Sequence, residues 1–313
     1  MISSLTLSYD VSTPDNRFFL PEGTVITSRI MEEVVSGGKK SSHPSYCILE
    51  YGTTKKDLLH CLEEPPFDAV FSPRETLDEV LKLMEHVRLA LPILEFLDYF
   101  KENDFHTYSH SLMVFALTTV LAREAVPEYD RLIRETIAGS THDLGKFCVP
   151  MKILMKGKPL TQREFSILRN HTTAGYILLS HYLADSENIS TRLARDHHER
   201  RNGSGYPRGI NLQDTMTEIV AVSDVYHALI SSRPYRPVSF DNRTALEELT
   251  DMAERNEFGL DIVKMMISLN RKDKPRYDEF NISTERRGTP PPGNLYGLIA
   301  EDEEKTEGSG DEL

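Results

Sequence analysis

One carboxylate inside an apolar run sets the strongest condition on how this chain can fold. The segment "TEIVAVSDVYHAL", residues 217 to 229, is apolar on most sides, which predicts a buried helix, with a strand as the weaker alternative. Asp224 stands in its middle. An ionised acid there is costly to bury unless it is paired or bound to a cation. An N-cap or a salt bridge, for instance to Arg233, would meet that condition; so would a metal site, and a metal site needs partners elsewhere in the chain.

Histidines offer those partners. Eight of the eleven, His106, His110, His142, His171, His181, His197, His198 and His227, lie between residues 106 and 227. Any one alone reads as an ordinary core or surface residue, but several on neighbouring helices, with carboxylates among them, read as a metal site built in a bundle. His110 shares a helical face with Val114, Leu117 and Leu121 in an amphipathic helix from about 110 to 124, and His106 is one turn earlier. The stretch "STHDLGKFCVP", 140 to 150, sets His142 beside Asp143 where the helix "EYDRLIRETIAGSTH" ends, and Gly145 reads locally as a helix stop. Thr161 and Glu164 form a capping-box pattern that predicts a helix containing His171.

A chain of 313 residues, 39% of them hydrophobic, is expected to form about two domains. Residues 1 to 72 read as a small α+β module for regulation or partner binding: "SLTLSYD" and "SYCILEYG" look like strands, and "ITSRIMEEVVSGG" like a helix stopped by glycine. Residues 73 to 104 read as a connecting helix that Pro92 should kink or break, and 105 to 272 as the helical domain. From 273 to 313, "TPPPG" and then "EDEEKTEGSGDEL", with seven acids and one lysine, read as a Pro-rich and acidic, partly disordered tail. A net charge of -13 argues against DNA as a partner. No apolar run approaches the ~20 residues that span a bilayer. With no targeting segment visible, and Cys47, Cys61 and Cys148 odd in number and irregularly spaced, the expectation is a cytoplasmic protein with no membrane partner.

Four motifs taken in order, "HD" at 142 followed by "GK", "NHTTAGYILL" at 170, "HHERRNGSGYPRG" at 197 and "VSDVYHALISSRPYRP" at 222, resemble the HD-GYP family. This is the branch of HD-superfamily phosphohydrolases associated with cyclic-di-GMP, and the resemblance covers about 105 to 270. It implies a mainly α fold, an HD-superfamily helical bundle preceded by a small α+β domain. Carried over residue by residue, it implies metal ligands at His110, His142, Asp143, His171, His197, His198 and Asp224. They would hold two divalent ions, iron first and manganese as the alternative. Asp143, placed to bridge ions about 3.5–4 Å apart, is the central catalytic residue, and a hydroxide between the ions would attack phosphorus. Lys146, Arg233 and Arg236 would hold phosphate oxygens, and Lys146 would also serve the leaving oxygen. Tyr206 would be presented to substrate by the glycine-rich loop. The partners implied are cyclic-di-GMP or a related nucleotide and, through Gly205-Tyr206-Pro207, a cyclase-domain protein.

The chain departs from the family pattern at three places. His106 stands where the family often has a glutamate that helps to hold a third metal; His227 replaces a repeated aspartate; Arg201-Asn202 replaces Trp-Asp. A catalytically weak or inactive receptor or interaction module is therefore the second reading, and another HD-type nucleotide phosphohydrolase the third.

Overall fold

Short strands and helices alternate through the first third of the chain, and helices make up nearly all the rest. The computed structural model describes residues 5–13, 18–39, 43–232, 238–292, 294 and 297–302. β1 (Val11–Ser12) and β2 (Phe18–Leu20) pair antiparallel and lead into α1 (Ser28–Lys39). β3 (Ser45–Cys47) pairs antiparallel with β4 (Arg88–Ala90), and between them lie α2 (Thr54–Glu63), α3 (Phe67–Phe71) and α4 (Arg74–Met84). Then come α5 (Leu91–Asn103), α6 (Phe105–Ala125), α7 (Tyr129–Thr141), a 3₁₀ turn (Leu144–Cys148), α8 (Met151–Leu154), β5 (Leu160–Thr161), α9 (Gln162–Arg169) and α10 (His171–Tyr182). α11 (Ile189–Asp196), α12 (Thr215–Ile230), α13 (Asn242–Glu254) and α14 (Leu260–Asn270) complete the helices, and β6 (Ile299–Ala300) runs parallel to β5.

Side-chain caps fix where the main helices begin. Asp104, Asp214 and Asp241 each accept a hydrogen bond from the backbone N–H of a threonine three residues on (Thr107, Thr217 and Thr244) and a second from its hydroxyl, which starts α6, α12 and α13. Thr161 and Glu164 close the expected capping box at α9. α9 ends at Arg169, however, so His171 is not inside it but is the first residue of α10. The apolar stretch 217 to 229 lies in α12 and is helical, and the central helix α6 is buried continuously from Thr107 to Ala122 apart from Ser109, with α5, α7 and α12 around it. Among the described residues no helix is long and apolar enough to cross a membrane.

Several boundaries differ from the local reading. The helix expected through 73–104 is two helices with β4 between them, because Leu89 turns into the core and β4 completes a sheet with β3. Pro92 sits in the first turn of α5, where its missing N–H has no intrahelical partner to lose. The segment before residue 72 closes no core of its own: Leu7, Tyr9 and Val11 join the same apolar cluster as α6 and α12. It also grips the start of α10, since the Ser8 N–H donates to Asn170 Oδ1 (3.0 Å) and Asn170 Nδ2 donates to the Thr6 carbonyl (2.8 Å). The described part of the 273–313 segment is docked: Arg286 pairs with Asp251 and Glu254 on α13 (2.6 and 2.7 Å), and the Gly288 N–H donates to Glu247.

Glycines expected to stop helices instead let backbones touch. α1 runs through Gly37 and Gly38, and a Cβ on Gly38 would lie 1.8 Å from the His181 carbonyl oxygen of α10. Gly145 lies in the 3₁₀ turn, four residues after α7 has ended, and a Cβ there would lie 1.9 Å from the His171 carbonyl oxygen and 2.3 Å from the Gly175 nitrogen. Gly145→Ala should therefore lower unfolding stability by about 1–3 kcal/mol, the usual cost of overpacking. Gly175→Ala, whose Cβ would meet its nearest neighbours at 3.3 and 3.4 Å, should cost clearly less. Urea unfolding of the two variants checks this, and equal losses would refute the backbone-contact explanation.

Candidate metal centre

Five helical elements bring seven residues of the HD-GYP pattern to one place. His110 comes from α6, His142 and Asp143 from the turn after α7, His171 from the start of α10, His197 and His198 from the end of α11, and Asp224 from the middle of α12. All are buried except His198, which is partly exposed; Asp143 is 2% and Asp224 8% accessible. Their donor atoms fall into two groups: Asp143, His171, His197 and His198 in one, His110, His142 and Asp224 in the other. Asp143 also reaches the second group. Its Oδ1 lies 3.3 Å from His171 Nε2 and 3.8 Å from His197 Nε2, while its Oδ2 lies 3.3 Å from both His110 Nε2 and His142 Nε2. Asp224 also reaches across, with Oδ1 3.1 Å from His110 Nε2 and Oδ2 4.0 Å from His198 Nδ1.

The proton positions follow from the outer hydrogen bonds. Nδ1 of His142, His171 and His197 each faces a backbone carbonyl, Gly139 at 2.9 Å, Leu168 at 2.7 Å, and Leu193 and Ala194 at 3.1 Å. A carbonyl can only accept, so Nδ1 carries the proton and the Nε2 lone pair points into the cluster. His142 and His110 then meet Nε2 to Nε2 at 3.4 Å, as do His171 and His197. Asp143 Oδ1 is buried with no hydrogen-bond donor. Converging lone pairs around an orphaned carboxylate oxygen are repulsive by themselves and fit a divalent cation. Nitrogen and carboxylate donors without thiolate suit a divalent first-row metal.

Electrostatics favours the metal-binding forms of His197, His198, Asp143 and Asp224, whereas His142, although buried, is raised above its ordinary value by the adjacent Asp143. Burial pushes His197 down to about 3, helped by His142 and His171, and burial also holds His198 well below its ordinary value. For Asp143 burial acts upward but is outweighed by Lys146, His142 and His110, so it stays well below the usual carboxylate range. Asp224 follows the same balance, with His110 as its largest lowering influence. Lys146 Nζ lies 2.5 Å from Asp143 Oδ2 and, with His110, lines a cavity beside the cluster.

The remaining site candidates divide. Arg233 and Arg236 lie outside the described residues. The Tyr206 ring stacks on the His198 ring (centroids 4.5 Å apart, 23° between planes), and the Arg169 guanidinium lies 4.4 Å from its centroid. Gly203 has φ +77°, as a left-handed turn requires, but Gly205 does not: a Cβ on Gly205 would lie 2.3 Å from the His198 carbonyl oxygen. Glu199, fully buried, holds this loop by accepting from the N–H groups of Arg208 (2.7 Å) and Ile210 (3.0 Å). His106 is exposed on the cavity wall, and His181 packs against Phe19 and α1. His227, read from sequence as one of the clustered histidines and as a departure from the family pattern, lies with its Nδ1 2.8 Å from His110 Nδ1, while Ser231 Oγ is 3.0 Å from His227 Nε2. With His110 Nε2 turned to the cluster, His110 Nδ1–H donates to His227 Nδ1, and His227 Nε2–H donates to Ser231. The signal was its spacing, three residues after Asp224 on one helix.

A helical bundle carrying a His-Asp pair at the meeting of five helices is the architecture of HD-type metal proteins. Residues 97–262, more than half of the chain, match the HD domain family, and the chain belongs to it, in the HD-GYP branch that its His197-His198 and Gly205-Tyr206-Pro207 motifs mark. It is 35% identical over 155 residues to a cyclic di-GMP phosphodiesterase of Thermotoga maritima, covering 49% of this chain and 42% of that protein. Over 163 residues it is 39% identical to a cyclic di-GMP phosphodiesterase of Pseudomonas aeruginosa, covering 50% and 37%. Over 132 residues it is 34% identical to 3'3'-cGAMP-specific phosphodiesterase 1 of Vibrio cholerae, covering 42% and 30%. The chain thus matches less than half the length of each of these relatives.

An outer partner of a metal-binding histidine typically contributes 10–100-fold to affinity. His227→Ala should accordingly weaken metal binding by about that factor, whereas His227→Asp, which restores an acceptor, should retain most of it. Competition against a chelator of known affinity reads both. Unchanged affinity in His227→Ala would refute the orienting role.

Proposed function

We propose that the chain is a metal-dependent phosphodiesterase acting on cyclic-di-GMP or a closely related cyclic dinucleotide, with two divalent ions, iron first and manganese second, held by His110, His142, Asp143, His171, His197, His198 and Asp224. The observation that carries this reading is the division of Asp143, one oxygen toward His171 and His197, the other toward His110 and His142. A carboxylate so divided suits a bridge between two ions, and seven ligands are too many for one. Bound there, divalent ions supply Lewis acidity toward phosphoryl oxygens and lower the pKa of water. The names of the relatives favour a cyclic dinucleotide as the substrate class.

The chain's own residues have distinct tasks in this reading. Lys146, between Asp143 and the cavity, steadies the carboxylate, binds a phosphate oxygen and supplies a proton to the leaving alkoxide. His227 orients His110, and Tyr206 braces His198 while its outer edge meets substrate. Arg233 and Arg236 add positive charge for the phosphates. The loop carrying Gly205, Tyr206 and Pro207, with Ser204 and Gly209 at the surface, is the proposed docking edge for a cyclase-domain partner, and the proposed location is the cytoplasm.

Chromatography of products after incubating metal-loaded protein with cyclic-di-GMP, and in parallel with 3'3'-cGAMP, tests the activity. Linear dinucleotide or mononucleotide is expected from at least one. Intact substrate in both reactions, with metal bound, would make the chain a receptor instead. Metal analysis under reducing, metal-replete conditions should find two ions per chain; one or none would overturn the two-ion assignment. Asp143→Ala should abolish turnover and lose more metal than any other single ligand change.

A further inference from the structure

The cavity beside the cluster has a wall made by the C-terminal segment of the chain. Its volume is about 240 Å³, and it opens next to His110 and Lys146. Leu154, Met155, Phe165 and Leu168 line one side; Leu298 and Ile299 line another. Lys146, Lys156 and Lys158 line it, Lys156 being paired with Glu164, and Asp104 and the His106 imidazole line it too. Among the eight large apolar side chains exposed on the described surface, three line this one cavity: Met155 at 40%, Leu298 at 57% and Ile299 at 38% exposure. Apolar surface collected at the edge of a polar site is a place where a ligand can bury it.

The C-terminal wall is lightly attached. β6 meets β5 through two residue pairs, Leu160 with Ile299 and Thr161 with Ala300, and beyond them the Arg163 N–H donates to Asp302 Oδ1 at 3.2 Å. The side chains of Leu298 and Ile299 are thus presented to the cavity by a strand with little core of its own.

Resting on the function proposed above, we infer that this cavity is a nucleobase subsite, with Leu298 and Ile299 as its outer wall and Phe165 as its aromatic face. A cyclic dinucleotide with one phosphodiester at the cluster must place its remaining atoms in the space bordering His110 and Lys146. That space is largely apolar, carries the Phe165 phenyl ring and has cationic groups among its lining residues, which suits a planar base with the second phosphate toward the lysines. It is smaller than the roughly 300–1,000 Å³ that holds a whole drug-sized ligand, so it takes one base and not the whole dinucleotide. The wall lies outside residues 97–262, so part of the subsite is supplied by a segment that the matched HD domain does not include.

The test uses the full metal-loaded chain and the double variant Leu298→Ala/Ile299→Ala. Two readouts are taken: fluorescence anisotropy with labelled cyclic-di-GMP, read before turnover, and steady-state kinetics on unlabelled cyclic-di-GMP. Losing the wall should raise Kd and KM by about tenfold, the scale of one base contact, with kcat changed little and with metal content and Tm held. Unchanged Kd and KM beside an active wild type would overturn the subsite and leave the phosphodiesterase reading standing. A fall in kcat at constant KM would also overturn it, because the strand would then be acting on the metal cluster's geometry. Wild-type protein that holds metal but neither binds nor hydrolyses cyclic-di-GMP or 3'3'-cGAMP would overturn both.

Discussion

The buried carboxylate of Asp143 is the charge around which the other elements are arranged. It faces four imidazole nitrogens and the Lys146 ammonium while almost inaccessible to water. An uncompensated charge at that depth would cost several kcal/mol, more than half the net stability of a marginal domain. Placing Asp143 there requires the 3₁₀ turn to lie directly on α10, which in turn requires a glycine at 145. The convergence of the histidine and aspartate cluster and the packing of α10 are therefore one constraint, expressed once in chemistry and once in sterics.

The departures from the HD-GYP pattern become intelligible in that frame. His227 exchanges a carboxylate for a neutral acceptor behind His110, removing one negative charge from the surroundings of the cluster while keeping a hydrogen-bond partner for His110 Nδ1. Arg201 pairs with the buried Glu218 of α12 at 2.8 Å, and the Gly259 N–H donates to the same carboxylate, so this position ties the histidine loop to α12 and the start of α14. Asn202 accepts from the Ser204 N–H and donates to the Arg255 carbonyl, holding the loop's outer turn. Substitutions that look like erosion of a motif are here absorbed into its support.

Both ends of the described chain contribute to the same region. The N-terminal segment holds Asn170, immediately before His171, and the C-terminal segment returns past α13 to pair with β5 at the start of α9. Lys274 bridges the same return to the opposite side, donating to the carbonyls of Ala69 and Val70 near the end of α3 and of Leu269 on α14. The helical bundle supplies the donor atoms; the flanking segments supply the floor beneath His171 and one wall of the adjoining cavity.

What was legible in the sequence was chemistry confined to a few turns of chain. The acid inside the apolar run at 217–229, the His142-Asp143 and His197-His198 doublets and the Thr161–Glu164 box depend on neighbours one to four residues away, and a linear reading reaches those. Tertiary structure alone decided features that join distant segments. Gly145 looks like a helix stop until α10 is laid against it, and the run from 73 to 104 looks like a helix kinked or broken at Pro92 until β3 offers β4 a partner. Tyr206 looks like a lip until its ring is found on His198, and the C-terminal segment looks like a free tail until Arg163 and Asp302, 139 residues apart, meet. Hydrophobic period and capping act locally, so the sequence by itself determined most of the helices, while its motifs, through their resemblance to the HD-GYP pattern, pointed to the proposed donor residues. Backbone approach, ring stacking and strand pairing act between segments whose separation along the chain carries no signal, so only the folded chain decided how the site is braced and walled.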